Sequence, residues 1–133
     1  MDHRSEKCLA GVHPDLVRVV RHAAETGGGR FLVIEGRRSL ERQVLLSTSG
    51  ASQIRDPSQG RHVQGMAVDV MAVDAEGRAL WDFPAYRRIA AVILRSAEVL
   101  GVPVIWGGSW RGFLDGPHYE LDRKAFPGAY TPE

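Results

Sequence analysis

Cysteine is all but missing from this chain, where Cys8 stands alone. A single thiol rules out an internal disulfide framework and removes the sulfur ligands with which structural zinc sites normally close their shell. Cys8 is expected to be an inert packed thiol in a chain made in a reducing compartment. Neither sign of charge is in excess, because 17 Lys and Arg offset 16 Asp and Glu for a net charge of +1. That balance supplies no basic field for a polyanion, so no nucleic-acid partner is expected. Long apolar runs are missing too. The longest, Ile89 to Leu94, is far short of a bilayer span, and no membrane partner is expected. There is no internal repeat and no low-complexity tract. The opening Met1-Asp2-His3-Arg4-Ser5-Glu6-Lys7 carries no apolar stretch of its own, so the reading is synthesis in the cytoplasm without a signal peptide.

What is present has ordinary globular proportions, 44% hydrophobic and 25% charged over 133 residues. That suffices for one core, and a single domain over 1–133 is expected. Leu16, Val19, Val20, Ala23 and Ala24 recur at helical spacing and predict a helix from His13 to about Glu25, with Pro14 in its first turn. Gly27-Gly28-Gly29 ends it, and Arg30 to Glu35 reads as a short buried strand. Gly36 turns the chain, and Ser39 can cap a second helix. Ser47 to Arg61 is polar and reads as a loop bordering a site, because it delivers the chain to His62. Ala67 to Val73 predicts a strand, Asp74 to Gly77 a turn and Arg78 to Trp81 a partner strand. A third helix from about Pro84 to Leu100 presents Tyr86, Ile89, Ala90, Ile93, Leu94, Ala97 and Leu100 to the core and ends at Gly101. Val102 to Trp106 and His118 to Leu121 complete the strands. Helices and strands mix without βαβ alternation, so the expected class is α+β, a small largely antiparallel sheet with about three helices.

Chemistry concentrates in two segments, Gly60 to Asp69 and Asp115 to Glu120. Together they hold two histidines and a carboxylate, His62, His118 and Asp69, with Asp115 as a spare acid. Two imidazoles and one carboxylate occupy three positions of a tetrahedral zinc ion and leave the fourth for water. Residues two apart share a strand face. Val68, Val70 and Ala72 therefore belong to the core, and Asp69 to the opposite side with Ala67 and Met71. Gly65 would let the backbone pass close to the ion. His118 and Glu120 share one face, Tyr119 and Leu121 the other. Glu120 is either an acceptor for the free N–H of a ligand imidazole or a plain surface glutamate. Asp115 is either a proton carrier for an attacking water or the turn residue of Asp-Gly-Pro.

These segments resemble the M15 peptidases, the D,D-peptidase and L-alanyl-D-glutamate peptidase group, and its small phage endolysin branch in particular. The resemblance is carried by His62-x-x-Gly65-x-Ala67-x-Asp69 and Asp115-x-Pro117-His118-Tyr119-Glu120. It extends to Leu9-Ala-Gly-Val-His13-Pro14-x-Leu16, to Glu35 through Gln43, and to Trp106-Gly107-Gly108-Ser109-Trp110. It implies a hedgehog/DD-peptidase-like fold, with His62, Asp69 and His118 as zinc ligands and Asp115 as general acid/base. It further implies Arg38 as a substrate contact accompanied by Gln43, and a guanidinium fork suits the carboxylates of a stem peptide. Arg38 is preferred to its neighbour Arg37 by motif register alone. Trp106 and Trp110 either wall a cleft or pack in the core. Two positions depart from the pattern. Gly60 stands where many relatives carry serine and Ser109 where many carry aspartate, which bears on substrate preference and not on the zinc chemistry.

The reading is a zinc-dependent L-alanyl-D-glutamate endopeptidase of the bacterial peptidoglycan stem peptide, monomeric, phage-encoded and acting on the wall. The alternatives are a D-alanyl-D-alanine carboxypeptidase and a non-catalytic, zinc-stabilised wall-binding module.

Overall fold

The computed structural model describes residues 1–48, 60–110 and 114–132, apart from the side chains of Gln43 and Ser47. Helices α1 (His3–Cys8) and α2 (Pro14–Thr26) precede strand β1 (Phe31–Glu35) and helix α3 (Leu40–Thr48). Strands β2 (Ala67–Val73) and β3 (Ala79–Leu80), helix α4 (Phe83–Leu100) and strands β4 (Val104–Trp106) and β5 (His118–Leu121) follow. The class is the expected α+β, and α1 adds a short helix to the three foreseen. Its six residues give too little periodicity to be seen in sequence. What makes it a helix is Asp2, whose side chain accepts from Ser5 N at 2.8 Å as an N-cap.

The longer helices start and stop for local reasons. His13 Nδ1 accepts from Asp15 N at the head of α2, and Asp82 Oδ1 accepts from Ala85 N at the head of α4. Gly27 and Gly101 end them at φ +72° and +70°, a left-handed cap that glycine adopts without steric penalty. Ser39 Oγ accepts from Arg42 N at the start of α3, as its sequence position predicts. Leu16, Val19, Val20 and Ala23 of α2 pack with Ile89, Ala90, Ile93 and Ala97 of α4 in the core. Tyr86, expected among that core face, is half-buried against Gly116 instead, where a Cβ would overlap its ring. Among the described residues no helix is long and apolar enough to cross a membrane.

The sheet runs β1-β2-β5-β4, with β3 pairing β2, and every pairing is antiparallel. Directly paired residues point to the same face. Val33, Val70 and the row Val68, Tyr119, Trp106 therefore face the helices, and all but the half-buried Trp106 are fully buried. The other face carries His118 opposite Asp69 and Glu120 opposite Ala67. In β1 simple alternation would turn Glu35 toward the core with Val33. Instead the register slips by one residue between Val33, opposite Val70, and Glu35, opposite Asp69. The extra residue is Ile34, a bulge that lets a charged side chain join the polar face.

Two backbone contacts fix the surroundings of that face. Ser5 Oγ, fully buried, accepts from Val33 N at 3.0 Å and so satisfies an edge-strand donor. At Gly36 the chain passes so close to α1 that any Cβ would overlap the Cys8 carbonyl oxygen. Gly65 answers to a different demand from the one expected. Its φ is +74°, and a Cβ there would meet Gly11 O at 2.7 Å, so the tight turn after His62 and the contact with Gly11 require glycine. Cys8 is half-buried against the core.

Candidate metal centre and active site

Three structural elements meet at one point. His62 stands in the turn between Gly60 and Met66, Asp69 in β2 and His118 at the start of β5. His62 Nε2 and His118 Nδ1 each lie 3.1 Å from Asp69 Oδ1. One donor atom from each residue lies within 4.8 Å of the others. Ligands about 2.1 Å from a tetrahedral ion are about 3.4 Å apart, close to the two spacings to Asp69, so this nitrogen, nitrogen, oxygen set could hold a divalent cation. Both imidazoles are buried, at 5% exposure for His62 and 7% for His118. The rings stand 5.1 Å apart at 70°.

Each imidazole is oriented by its other nitrogen. His62 Nδ1 is 2.8 Å from the Gly36 carbonyl oxygen, an acceptor that requires Nδ1–H and leaves Nε2 facing Asp69. The same turn is tied back to the chain after β1, where Arg38 N donates to His62 O at 2.9 Å. His118 Nε2 is 2.9 Å from Glu120 Oε1, which leaves Nδ1 for the centre. Of the two sequence readings of Glu120, the geometry matches the acceptor: the residue is buried and in contact with His118. Trp110 lies against His118 with ring centroids 5.1 Å apart, whereas Trp106 packs against the core and donates through Nε1 to Gly116 O.

The electrostatics follow from this crowding. Burial opposes the charge on Asp69, yet hydrogen bonds from His118 and His62 hold its carboxyl well below the usual range. Burial also opposes an imidazolium at His118, but hydrogen bonds to Asp69 and Glu120 raise its pKa to about 9 in the metal-free protein. A divalent cation would therefore displace a proton on binding. Asp115 behaves in the opposite sense to Asp69. Burial pushes its carboxyl up, the negative charge of Asp69 adds to that, and His118, His62 and Arg38 temper it. A carboxyl poised upward beside a cation site is suited to carry a proton. Its backbone is pinned, since Asp115 N donates to Gly107 O and His118 N donates to Asp115 O, both at 3.1 Å.

Arg38 and Arg37, which sequence separated only by register, diverge. Arg38 is largely buried; its Nε donates to Glu35 Oε1 at 2.8 Å and its Nη2 lies 4.0 Å from Asp69 Oδ2. Arg37 is exposed and turns away to the carbonyl oxygens of Tyr130 and Gly11. The side chain of Gln43, and residues 49–59 of the expected site-bordering loop, lie outside the described residues. Sequence reasoning gave no role to Glu35, which also accepts from Arg42 Nε at 2.7 Å. Burial raises the Glu35 pKa, but the hydrogen bonds from Arg38 and Arg42 outweigh it and hold the carboxyl near about 2. The register slip that brings Glu35 here leaves no trace in the composition of the strand.

Comparison with known proteins points the same way. The family model described as phage L-alanyl-D-glutamate peptidase matches residues 1–130. The chain is 31% identical over 128 residues to the L-alanyl-D-glutamate peptidase of Escherichia phage T5, which covers 96% of this chain and 92% of that protein. It is 35% identical over 104 residues to the L-alanyl-D-glutamate peptidase of Listeria phage A118, over 77% of this chain and 34% of that longer protein. The crystal structure of the Serratia marcescens L-Ala D-Glu endopeptidase ChiX superposes with a TM-score of 0.88 at 42% identity, covering 96% of this chain and 93% of that one. A match over nearly the whole length, in sequence and in fold, establishes that this chain belongs to the phage L-alanyl-D-glutamate peptidase family.

Proposed function

We propose that the protein is a zinc-dependent endopeptidase that hydrolyses the L-alanyl-D-glutamate bond of the peptidoglycan stem peptide. The observation that carries this reading is the convergence of His62, Asp69 and His118 within 4.8 Å, beside Asp115, in a member of this family. His62 Nε2, an Asp69 oxygen and His118 Nδ1 would hold the zinc ion, which when bound would supply Lewis acidity for the scissile carbonyl and for water. Asp115 takes a proton from the attacking water and returns it to the departing amine, a transfer that its raised pKa favours. Arg38, steadied by Glu35, anchors a stem-peptide carboxylate, and Gln43 assists it. Trp110 keeps bulk water from one side of His118. The protein acts as a monomer and one catalytic unit.

Mass spectrometry of purified wall digested with and without a chelator tests the reading. New N-terminal D-glutamyl fragments that vanish with chelator and return with zinc are expected. Release of D-alanine instead would identify a carboxypeptidase, and zinc binding without any new amine would identify a binding module.

A further inference from the structure

We propose that Glu120 and Arg61 are positioning residues for the metal centre, through which the docked C-terminal segment holds His118 in its ligating orientation. The inference rests on the metal-site reading above. Glu120 is 9% exposed and has a partner on each carboxylate oxygen. Oε1 is 2.9 Å from His118 Nε2, and Oε2 is 3.7 Å from Arg61 Nε. An imidazole with an acceptor fixed on one nitrogen has its tautomer and ring plane set, and the other nitrogen is then aimed. A buried carboxylate is itself costly unless a cation accompanies it, and Arg61 is the neighbouring cation.

Arg61 is 4% exposed and precedes His62 directly, so one turn carries one imidazole and the support for the other. Its Nη1 donates to Gln64 Oε1 at 2.7 Å and to Gly128 O at 3.2 Å. Its Nη2 donates to Leu121 O at 2.8 Å and to Phe126 O at 3.0 Å. Its Nε makes no hydrogen bond among the described residues, which leaves Glu120 as its ion-pair partner. The planar fork thus gathers three carbonyls from Leu121 to Gly128 and turns its remaining edge to Glu120, a geometry that an ammonium cannot copy. Beyond Gly128 the segment is fastened again, where Tyr130 N donates to Gln64 O and Tyr130 O accepts from Arg37, both at 2.8 Å. Support for His118 therefore runs from the C-terminal carbonyls through Arg61 and Glu120. Support for His62 comes from the backbone at Gly36.

Zinc affinity of the full chain, measured by competition with a chromophoric chelator, tests this apart from turnover, with the visible absorption of the cobalt-loaded protein as a second readout. Glu120→Ala is expected to weaken zinc by about tenfold to a hundredfold and to shift the cobalt bands. Arg61→Lys keeps the charge and loses the fork; it is expected to weaken zinc about fivefold, and to add nothing in the Glu120→Ala background. Zinc affinity in Glu120→Ala within about twofold of the parent overturns the proposal, as does an equal effect of Arg61→Lys in both backgrounds. If Arg61→Lys does not fold, the ring nitrogen resonances of the zinc-loaded parent decide. A protonated Nε2 and a metal-bound Nδ1 at His118 support the proposal, and metal on Nε2 overturns it. A parent chain that takes up no zinc defeats the metal-site reading itself; a parent that does, with unaltered variants, defeats only the positioning role.

Discussion

The two faces of the sheet obey opposite rules, although β2 belongs to both. Toward the helices, Val68, Val70 and Ala72 lie beneath α2 and α4 in a core whose stability comes from apolar area removed from water. Toward the site, Asp69, His118, Glu120 and Glu35 crowd charges into partial burial, which costs free energy that only mutual hydrogen bonds offset. The first face tolerates exchange of shape at the expense of stability. The second is held by pairwise geometry and fails by misplacing an atom. Structure and chemistry are thus separated by the two-residue period of a strand rather than by distance.

The sharpest way to break this separation is Asp115→Asn. Turnover on purified wall is expected to fall by about a hundredfold to ten-thousandfold, while zinc affinity and melting temperature stay near the parent values. Loss of zinc from this variant would place Asp115 among the ligands instead. On the opposite face, Leu16→Ala removes a fully buried side chain and is expected to cost about 2–5 kcal/mol in chemical denaturation. Turnover per folded molecule should be unchanged, and a loss exceeding the loss of folded protein would show that the faces are coupled. A smaller effect is expected at Arg38→Lys, which exchanges a fork for a point charge and should raise KM about tenfold with little change in kcat.

The smallest effect tests the site face for a contribution to stability. Glu35 has its pKa lowered from 4.5 to about 2. A depressed carboxylate stabilises the fold above its unfolded pKa and loses that contribution as pH falls through the folded one. The melting temperature of the parent should therefore decline between pH 4.5 and about 2 more steeply than that of Glu35→Gln. Parallel curves would mean that the Glu35 ion pairs add nothing to the fold.

Much of this could be read from sequence because the signals were periodic or chemically distinctive. The core stripes of α2 and α4 repeat every three to four residues, and Asp69 sits in the polar phase of a strand whose other phase is valine and alanine. His62 and His118 declared themselves by type and company. Arg61 did not, since nothing marks a buried arginine whose partners lie about sixty residues away in sequence. Glu35 was hidden by an interrupted alternation, and α1 by its length. Motif register preferred Arg38 to Arg37, and the fold supplies the physical difference: Arg37 reaches the C-terminal segment and Arg38 the cation site.

The slip at Ile34 means that β1 carries two reading frames. Phe31 and Val33 follow the frame set by packing, while Glu35 follows one offset by a single step. Residues before the offset can drift under pressure for compactness without re-aiming the acid that steadies Arg38. A chain shortened by that one residue would keep every side chain it uses for catalysis and still present Glu35 to the wrong side.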